Sequence, residues 1–356
     1  MIEAIEDIQR LVCDGFDDWI SLGDVKVVEY ADFLLFNYTA KAQYTGRWNP
    51  FERMSRGLII NRVTGEIVAR PFDKFFNWGE RGMKTDAPIV SVAEKMDGSL
   101  GIGYWDTETD SVDKGIFRIA TRGSFTSGQA MWATKWIHSH IGTDPPWPQT
   151  LTYLFEIVYP QNRIVVDYGQ RKELVLLAIR SSITGGYLSQ NTVNTFADKY
   201  NLSRPRNYIN LSPDELTKQC ATLPASEEGY VATFSDGSIF KFKGAAYCEL
   251  HKLISGLSFK SALEAVASGT VDSFREVVPD EFLGEFNSWV AEIEQTAMLI
   301  TDTTEIAYTH APKDSRKDYA AYINANAPQI ASYAFLRLDN KPLLPAIYKQ
   351  AFRERV

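Results

Sequence analysis

The chain has 356 residues, 45% hydrophobic and 23% charged, with a formal net charge of -8. This is the composition of a folded globular protein on the scale of two domains, long enough to bury a core without disulfides or metals. It excludes general disorder, a membrane span, because no run of roughly 18 apolar residues occurs, and the coating of nucleic acid by bulk positive charge. Residues 1–245 carry 26 Lys plus Arg against 30 Asp plus Glu, and residues 246–356 carry 11 against 15, so neither part is a basic tail. Cys13, Cys220 and Cys248 make no closed disulfide set and no C-x-x-C pair, which points to a reducing compartment without structural zinc. The opening MIEAIEDIQR has no basic stretch followed by an apolar one, so no secretory signal is expected.

In chain order, a helix is expected over 2–13. KVVEY (26–30) and FLLFNY (33–38) flank Ala31-Asp32, and GLIINRV (57–63) and EIVARPF (66–72) flank the turn signal Thr64-Gly65. Strands continue at LGIGYW (100–105), IFRIAT (116–121), TYLFEIV (152–158), NRIVVDY (162–168) and ELVLLAIR (173–180), with helices at 125–140 and 191–200. YVATF and SIFKFK flank Ser235-Asp236-Gly237, a further hairpin signal. The acidic run from Asp106 to Asp113 reads as a solvated loop. Gly101-x-Gly103 lacks the helix of a dinucleotide loop, and His138-x-His140, without nearby Cys or acidic ligands, reads as surface.

After Gly244 the texture becomes helical. Ser261-x-x-Glu264 is a capping box and Gly269 a stop. Phe282, Phe286, Trp289, Ile293, Ala297 and Ile300 recur at helical steps, so 280–301 is expected to be an amphipathic helix. Residues 313–338 repeat that pattern, interrupted by Pro328. The domain boundary is expected at 245, as a packed junction.

Five segments carry chemistry. In Glu94-Lys95-Met96-Asp97-Gly98, a lysine closes a strand before a turn. If 89–97 is extended, Lys95 and Asp97 share a face; a surface lysine before a hairpin has the same sequence. In Ile239-Phe240-Lys241-Phe242-Lys243, alternation sends the phenylalanines to the core and both lysines to the other face, where a solvated edge is the plain alternative. Glu227-Glu228-Gly229 enters the strand paired with that one, which brings Glu228 and both lysines into one neighbourhood. Glu156 stands inside the apolar strand Leu154–Val158 and needs a partner there, because an unpaired buried charge is costly. Arg56, in Ser55-Arg56-Gly57-Leu58, and Lys74 with Phe76, in Arg70-Pro71-Phe72-Asp73-Lys74-Phe75-Phe76, add cations and rings upstream.

In this order, K-x-D-G, F-E, E-G and K-x-K, the segments resemble the motifs of ATP-dependent polynucleotide ligases within the covalent nucleotidyltransferase superfamily. SRGLIIN, ARPFDKFFNWGE, EKMDGSLG, TRGSF, LFEIVYPQNRIVVDY, EEGYV and FKFKG look closest to the bacteriophage RNA ligase 1 family, over most of residues 30–245. The resemblance implies an α+β protein: an antiparallel-sheet nucleotidyltransferase (ATP-grasp-like ligase) domain at 1–245 and an all-α C-terminal domain at 246–356 that selects the RNA. It implies Lys95 as the nucleophile that takes AMP from ATP, and Lys241 and Lys243 as contacts to the ATP phosphates. Glu228 would stand near a catalytic Mg2+ (or Mn2+), and Glu156 on the ribose or the metal's water. Tyr38, Arg56, Lys74 and Phe76 would line the ATP pocket. Arg122 occupies a place where the family carries a basic residue. As nucleophile, a lysine must shed its proton, for which burial and neighbouring cations are the usual means. The implied substrates are RNA ends bearing 5′-phosphate and 3′-hydroxyl, cleaved tRNA among them, handled by a monomer in the cytoplasm (of the host cell if phage-encoded). A DNA ligase, a guanylyltransferase, or a non-catalytic nucleotide- or RNA-binding module are the alternatives.

Overall fold

The structure, a computed structural model, describes residues 2–107, 115–276, 278 and 282–353, with the side chains of Tyr44 and 351–353 left aside. The chain divides into two compact units, Met1–His251 and Lys252–Val356. The division falls inside the helix Ala245–Ile254, whereas the change of sequence texture put it at 245.

In the first unit the strands are β1 Val25–Tyr30, β2 Phe33–Tyr38, β3 Arg56–Asn61, β4 Ile67–Ala69, β5 Phe76–Asn77, β6 Ile89–Glu94 and β7 Ser99–Asp106. They continue as β8 Ile116–Ala120, β9 Leu151–Val158, β10 Glu173–Ser181, β11 Asn207–Tyr208, β12 Gly229–Phe234 and β13 Ile239–Lys243. They form three sheets, in the orders β1-β2-β3-β4, β10-β9-β7-β8 and β11-β6-β12-β13-β5. Pairing is antiparallel except for the short parallel match of β13 with β5. Alternating apolar residues build the core between the first two sheets, where Phe33, Leu35, Ile59, Ile102, Tyr104 and Leu154 are buried together. The helices Gly128–His140 and Gln190–Lys199 cover the second sheet through Ala133, Ile137, Val193 and Ala197. In the third sheet Tyr230, Phe234, Phe240 and Phe242 pack with Leu216 from the helix Pro213–Cys220.

NRIVVDY is not a strand. After Val158 the chain makes one 3-10 turn, Pro160–Asn162, and the Val165 and Val166 amides, which a strand would spend on a neighbour, donate to Asp97 Oδ2 at 2.8 and 2.7 Å. EIVARPF contracts to β4 because the Arg70 amide donates to Thr152 Oγ1 (2.8 Å) and Pro71 has no amide to give. The short helices Pro50–Met54 and Pro213–Cys220 were not anticipated. Their signals are present, since Asn49 and Ser212 are N-caps followed by proline and by the capping-box acids Glu52 and Glu215. Asp106 is not solvated: it is fully buried and 2.8 Å from Arg118 Nε on the adjacent strand. Within that acidic run, 108–113 lie outside the described residues. His138 bonds the Phe117 carbonyl and His140 stacks on Trp136.

The second unit is helical, with helices Phe259–Ser268, Val271–Arg275, Leu283–His310, Arg316–Asn326, Ala331–Leu338 and Leu344–Arg353. The expected cap at Ser261 is displaced one turn: Ser258 Oγ accepts from the Ser261 amide, and Gly269 ends the helix in the left-handed conformation. The amphipathic helix runs on to His310, because Ala297, Thr304 and Ala307 continue its buried face; of the expected span, 280 and 281 lie outside the described residues. No helix among the described residues is long and apolar enough to cross a membrane.

Candidate active site

Strand β6 ends at Glu94, so the alternation that would place Lys95 and Asp97 on one face does not reach them. Lys95 keeps one ladder bond, from its amide to the Gly229 carbonyl (2.8 Å). Its Nζ lies 2.7 Å from Glu228 Oε2. Lys243 Nζ lies 3.2 Å from the other oxygen, Oε1. The β12–β13 hairpin produces this meeting, since it pairs Gly229 with Lys243, and β6 pairs with β12 on its other side. Glu228 is almost wholly buried. Burial opposes its ionisation, but the two ammonium groups outweigh burial and hold its carboxyl below the usual carboxylate range.

Gly229 has φ +139, and a Cβ there would sit 2.0 Å from the Phe242 carbonyl oxygen, so the residue after Glu228 must be glycine for β12 to approach β13. At Gly98 a Cβ would stand 2.6 Å from the Ile157 carbonyl oxygen and 3.1 Å from Glu156 Cγ. Glycine there lets the segment after Lys95 close onto the strand that carries Glu156. Burial pushes the Glu156 carboxyl up to about 8, Glu228 and Asp97 add to the rise, and Lys95 and Arg56 oppose it. The two neighbouring carboxylates are therefore driven apart: Glu228 is fixed as an anion and Glu156 is ready to take or give a proton near neutrality.

The lysines of β13 are not on a solvated edge. Lys241 is buried, with its Nζ 5.9 Å from the centre of the Phe75 ring, and the Arg56 guanidinium stands 5.5 Å from the same ring. The β5–β13 match, Phe76 with Phe240 and Asn77 with Lys241, ties this segment to the lysine strand. Lys74 is buried in a cage of three rings, Tyr38, Trp48 and Phe76, whose centres lie 5.5, 5.0 and 5.7 Å from its Nζ. Cation–π attraction favours an ammonium held in that way. Arg122 Nη1 donates to the Tyr38 hydroxyl (2.8 Å).

The structure thus gathers Lys95, Glu228 and Lys243 by ion pairing and Glu156 by electrostatic reach. It sets Arg56 and Lys241 on Phe75, and Tyr38, Lys74 and Phe76 in the adjoining cage. Reading the sequence missed Trp48 and the environment of Asp97. The buried Asp97 carboxylate accepts from the Val165 and Val166 amides and from the Tyr247 hydroxyl (2.8 Å), while its own amide donates to the Tyr168 hydroxyl (2.9 Å). Asp-Gly was read there as turn chemistry, and no spacing links position 97 to 247. Among the described residues no three His, Cys, Asp or Glu side chains form a metal cluster. Two neighbouring carboxylates, Glu228 and Glu156, offer the oxygen chemistry that a hard divalent cation takes when phosphate oxygens and water complete its shell.

A model of the RNA ligase family matches residues 54–248. A putative RNA ligase of Thermovibrio ammonificans is 27% identical over 222 residues, 60% of this chain and 55% of that protein. RNA ligase 1 of bacteriophage TS2126 is 29% identical over 216 residues, 54% of this chain and 50% of that protein. The chain spans about half the length of these curated relatives. A solved archaeal ATP-dependent RNA ligase is 14% identical with a TM-score of 0.43, covering 91% of this chain and 90% of that one, a likeness too remote to bear on the site. The matched segment takes in Arg56, Lys74, Lys95, Glu156, Glu228, Lys241 and Lys243, and on that match the chain belongs to the RNA ligase family.

Proposed function

We propose that the protein is an ATP-dependent RNA ligase that works through a lysine-bound adenylate on Lys95. The observation that carries this reading is the convergence of Lys95 and Lys243 on Glu228 beside a Glu156 whose carboxyl is pushed up to about 8. In the first step Lys95 Nζ, having lost its proton, forms a bond to the α-phosphorus of ATP while the bond to pyrophosphate breaks. Lys241 and Lys243 neutralise charge on the triphosphate, with Lys74 and Arg56 beyond them. In the second step an oxygen of an RNA 5′-phosphate attacks the adenylate phosphorus and Lys95 leaves, regaining its proton. In the third, an RNA 3′-hydroxyl attacks the 5′-phosphorus and AMP departs. Each step is a displacement at phosphorus, where positioning and charge neutralisation supply most of the acceleration.

Glu228 and Glu156 are the residues that would hold Mg2+ or Mn2+. Bound there, the ion would neutralise phosphate charge. A cation bound there would favour the ionised form of Glu156 over the proton that its buried carboxyl holds in the ligand-free chain. The aromatic cage keeps Lys74 from swinging into solvent. The helical unit from 252 onward is read as the part that selects the RNA, cleaved tRNA among the substrates, and the enzyme as a cytoplasmic monomer.

The test has two stages. The protein is incubated with α-labelled ATP or GTP and the covalent label measured. It is then offered 5′-phosphorylated single-stranded RNA, nicked tRNA and nicked duplex DNA side by side. Label from ATP with sealing of RNA supports the reading. Label from GTP points to a guanylyltransferase, preferential sealing of nicked DNA to a DNA ligase, and no label at all to a binding module.

A further inference from the structure

Lys95 lies just past the end of β6 and Glu156 lies on β9, and the segment that joins Lys95 to β7 must stay level with β9 for the two to face one reacting centre. We propose that Asn162 is the positioning residue that sets this level; the inference rests on the reading of Lys95 as nucleophile. The 3-10 turn Pro160–Asn162 folds the chain back after β9 and leaves Asn162 only 8% exposed. Its Nδ2 donates to the Ile157 carbonyl (2.8 Å). Its Oδ1 accepts from Ser99 Oγ (3.3 Å) and from Gln129 Nε2. One amide thereby joins the residue after Glu156, the residue after Asp97-Gly98, and the first turn of the helix Gly128–His140.

The register makes this junction specific to the site. Ser99 pairs with Ile157, and Leu100 with Glu156. The Ile157 carbonyl oxygen bound by Asn162 is also the atom that a Cβ at Gly98 would meet at 2.6 Å. The chain after Lys95 therefore rests on a carbonyl whose direction Asn162 fixes. No other uncharged side chain of this size brings a donor and an acceptor to those two partners at once: Asp keeps the shape and loses the donor, Leu keeps the volume and loses both. The Asn162 side-chain hydrogen bonds among the described residues go to Ile157, Ser99 and Gln129, and none goes to the Lys95 ammonium or to the carboxylates of Glu156 and Glu228. It acts through the backbone, so its loss should misplace the attacking amine without removing a contact to ATP.

The test is the single-turnover rate of adduct formation from α-labelled ATP and Mg2+, measured across ATP concentration in the full chain. Wild type, Asn162→Asp, Asn162→Ala, Ser99→Ala, Ser99→Ala/Asn162→Ala and Lys95→Ala are compared, each with a thermal melt. The expected result is a maximal rate lowered about tenfold or more in both Asn162 variants, with half-saturating ATP within about twofold of wild type. Ser99→Ala should fall less in the same parameter, and the double variant no further than Asn162→Ala alone, because the two share one bond. If the Asn162 variants do not fold, Ser99→Ala carries the test: a wild-type maximal rate there overturns the proposal. So does a folded Asn162→Ala with wild-type maximal rate, or one whose loss lies wholly in half-saturating ATP. An adduct that survives Lys95→Ala removes the nucleophile reading and this role with it, whereas an adduct that needs Lys95 and ignores Asn162 removes this role alone.

Discussion

Lys95 and Lys243 are held to opposite oxygens of one carboxylate, at 2.7 and 3.2 Å from Glu228. The lysine just past β6 and the lysine at the end of β13 thus share a single buried counter-ion. Removing either cation leaves Glu228 half-compensated in a place with little access to water. The site residues are coupled before any substrate arrives, and variants at one position should be felt at the others.

Lys95→Ala is expected to abolish label transfer from α-labelled ATP. From its position at a strand end alone it would be silent in stability, but its contact with buried Glu228 predicts a loss of about 1–3 kcal/mol. Chemical denaturation of the variant measures that loss, and a labelled adduct at wild-type level would show that another residue attacks.

Lys241→Ala and Lys243→Ala should both lose adenylation, because each removes positive charge from the triphosphate site. They should differ otherwise. Lys243 shares Glu228 with Lys95, so its loss also leaves Glu228 to Lys95 alone and disturbs the nucleophile, whereas Lys241 lies over Phe75. Lys241→Ala is therefore the better candidate to retain sealing of RNA that already carries a 5′-AMP. Self-adenylation at the wild-type rate by either variant would be incompatible with its phosphate role.

The two carboxylates predict opposite pH dependence. Glu156 binds its proton more tightly in the folded chain, with its carboxyl pushed up to about 8, against about 4.3 when unfolded. Between those values the folded state holds the extra proton, so its stabilising effect is present below about 4.3 and fades as pH rises toward 8. Glu228 is held low by its lysines, so its contribution is present above about 4.3 and is lost as pH falls. Glu156→Gln should therefore stabilise the ligand-free protein relative to wild type more at pH 8 than at pH 5, while lowering activity. Parallel melting curves for the two proteins across that range would contradict the assignment.

Gly98→Ala should be damaging out of proportion to one methyl group. The new Cβ would meet backbone at 2.6 Å, which cannot swing aside as a flexible side chain can. A loss of about 1–3 kcal/mol with near-complete loss of adduct formation is expected. Normal labelling by this variant would show that the segment after Lys95 tolerates displacement from β9.

Truncation tests where the catalytic unit ends. A chain cut after Gly244 loses Tyr247, whose hydroxyl donates to Asp97, whereas a chain cut after His251 keeps it. Adduct formation should survive the second cut and fall with the first. Sealing by the longer fragment is expected to drop more on nicked tRNA than on an unstructured oligonucleotide; equal losses on both would argue against RNA selection by the helical unit. Its basic residues are partly engaged, since Arg316 pairs with Asp339 and Lys313 lies over Tyr308.

The sequence by itself determined the parts whose signals are local. Period-two alternation and the turn at Ser235-Asp236-Gly237 specify the β12–β13 hairpin, and that short-range pairing is enough to bring Glu228 to Lys243. Helical periodicity separates the second unit from the sheets in the same local way. The tertiary structure decided what long-range packing controls. Alternation put Lys241 and Lys243 on a common face but could not say that the face is covered. Val165 and Val166 have the composition of a strand, yet their amides are captured by Asp97, 68 and 69 positions away. The Tyr247 hydroxyl, the cage around Lys74 and the three bonds of Asn162 likewise join positions that no period relates, because a side-chain hydrogen bond or a ring contact constrains distance in space and leaves no spacing in the chain.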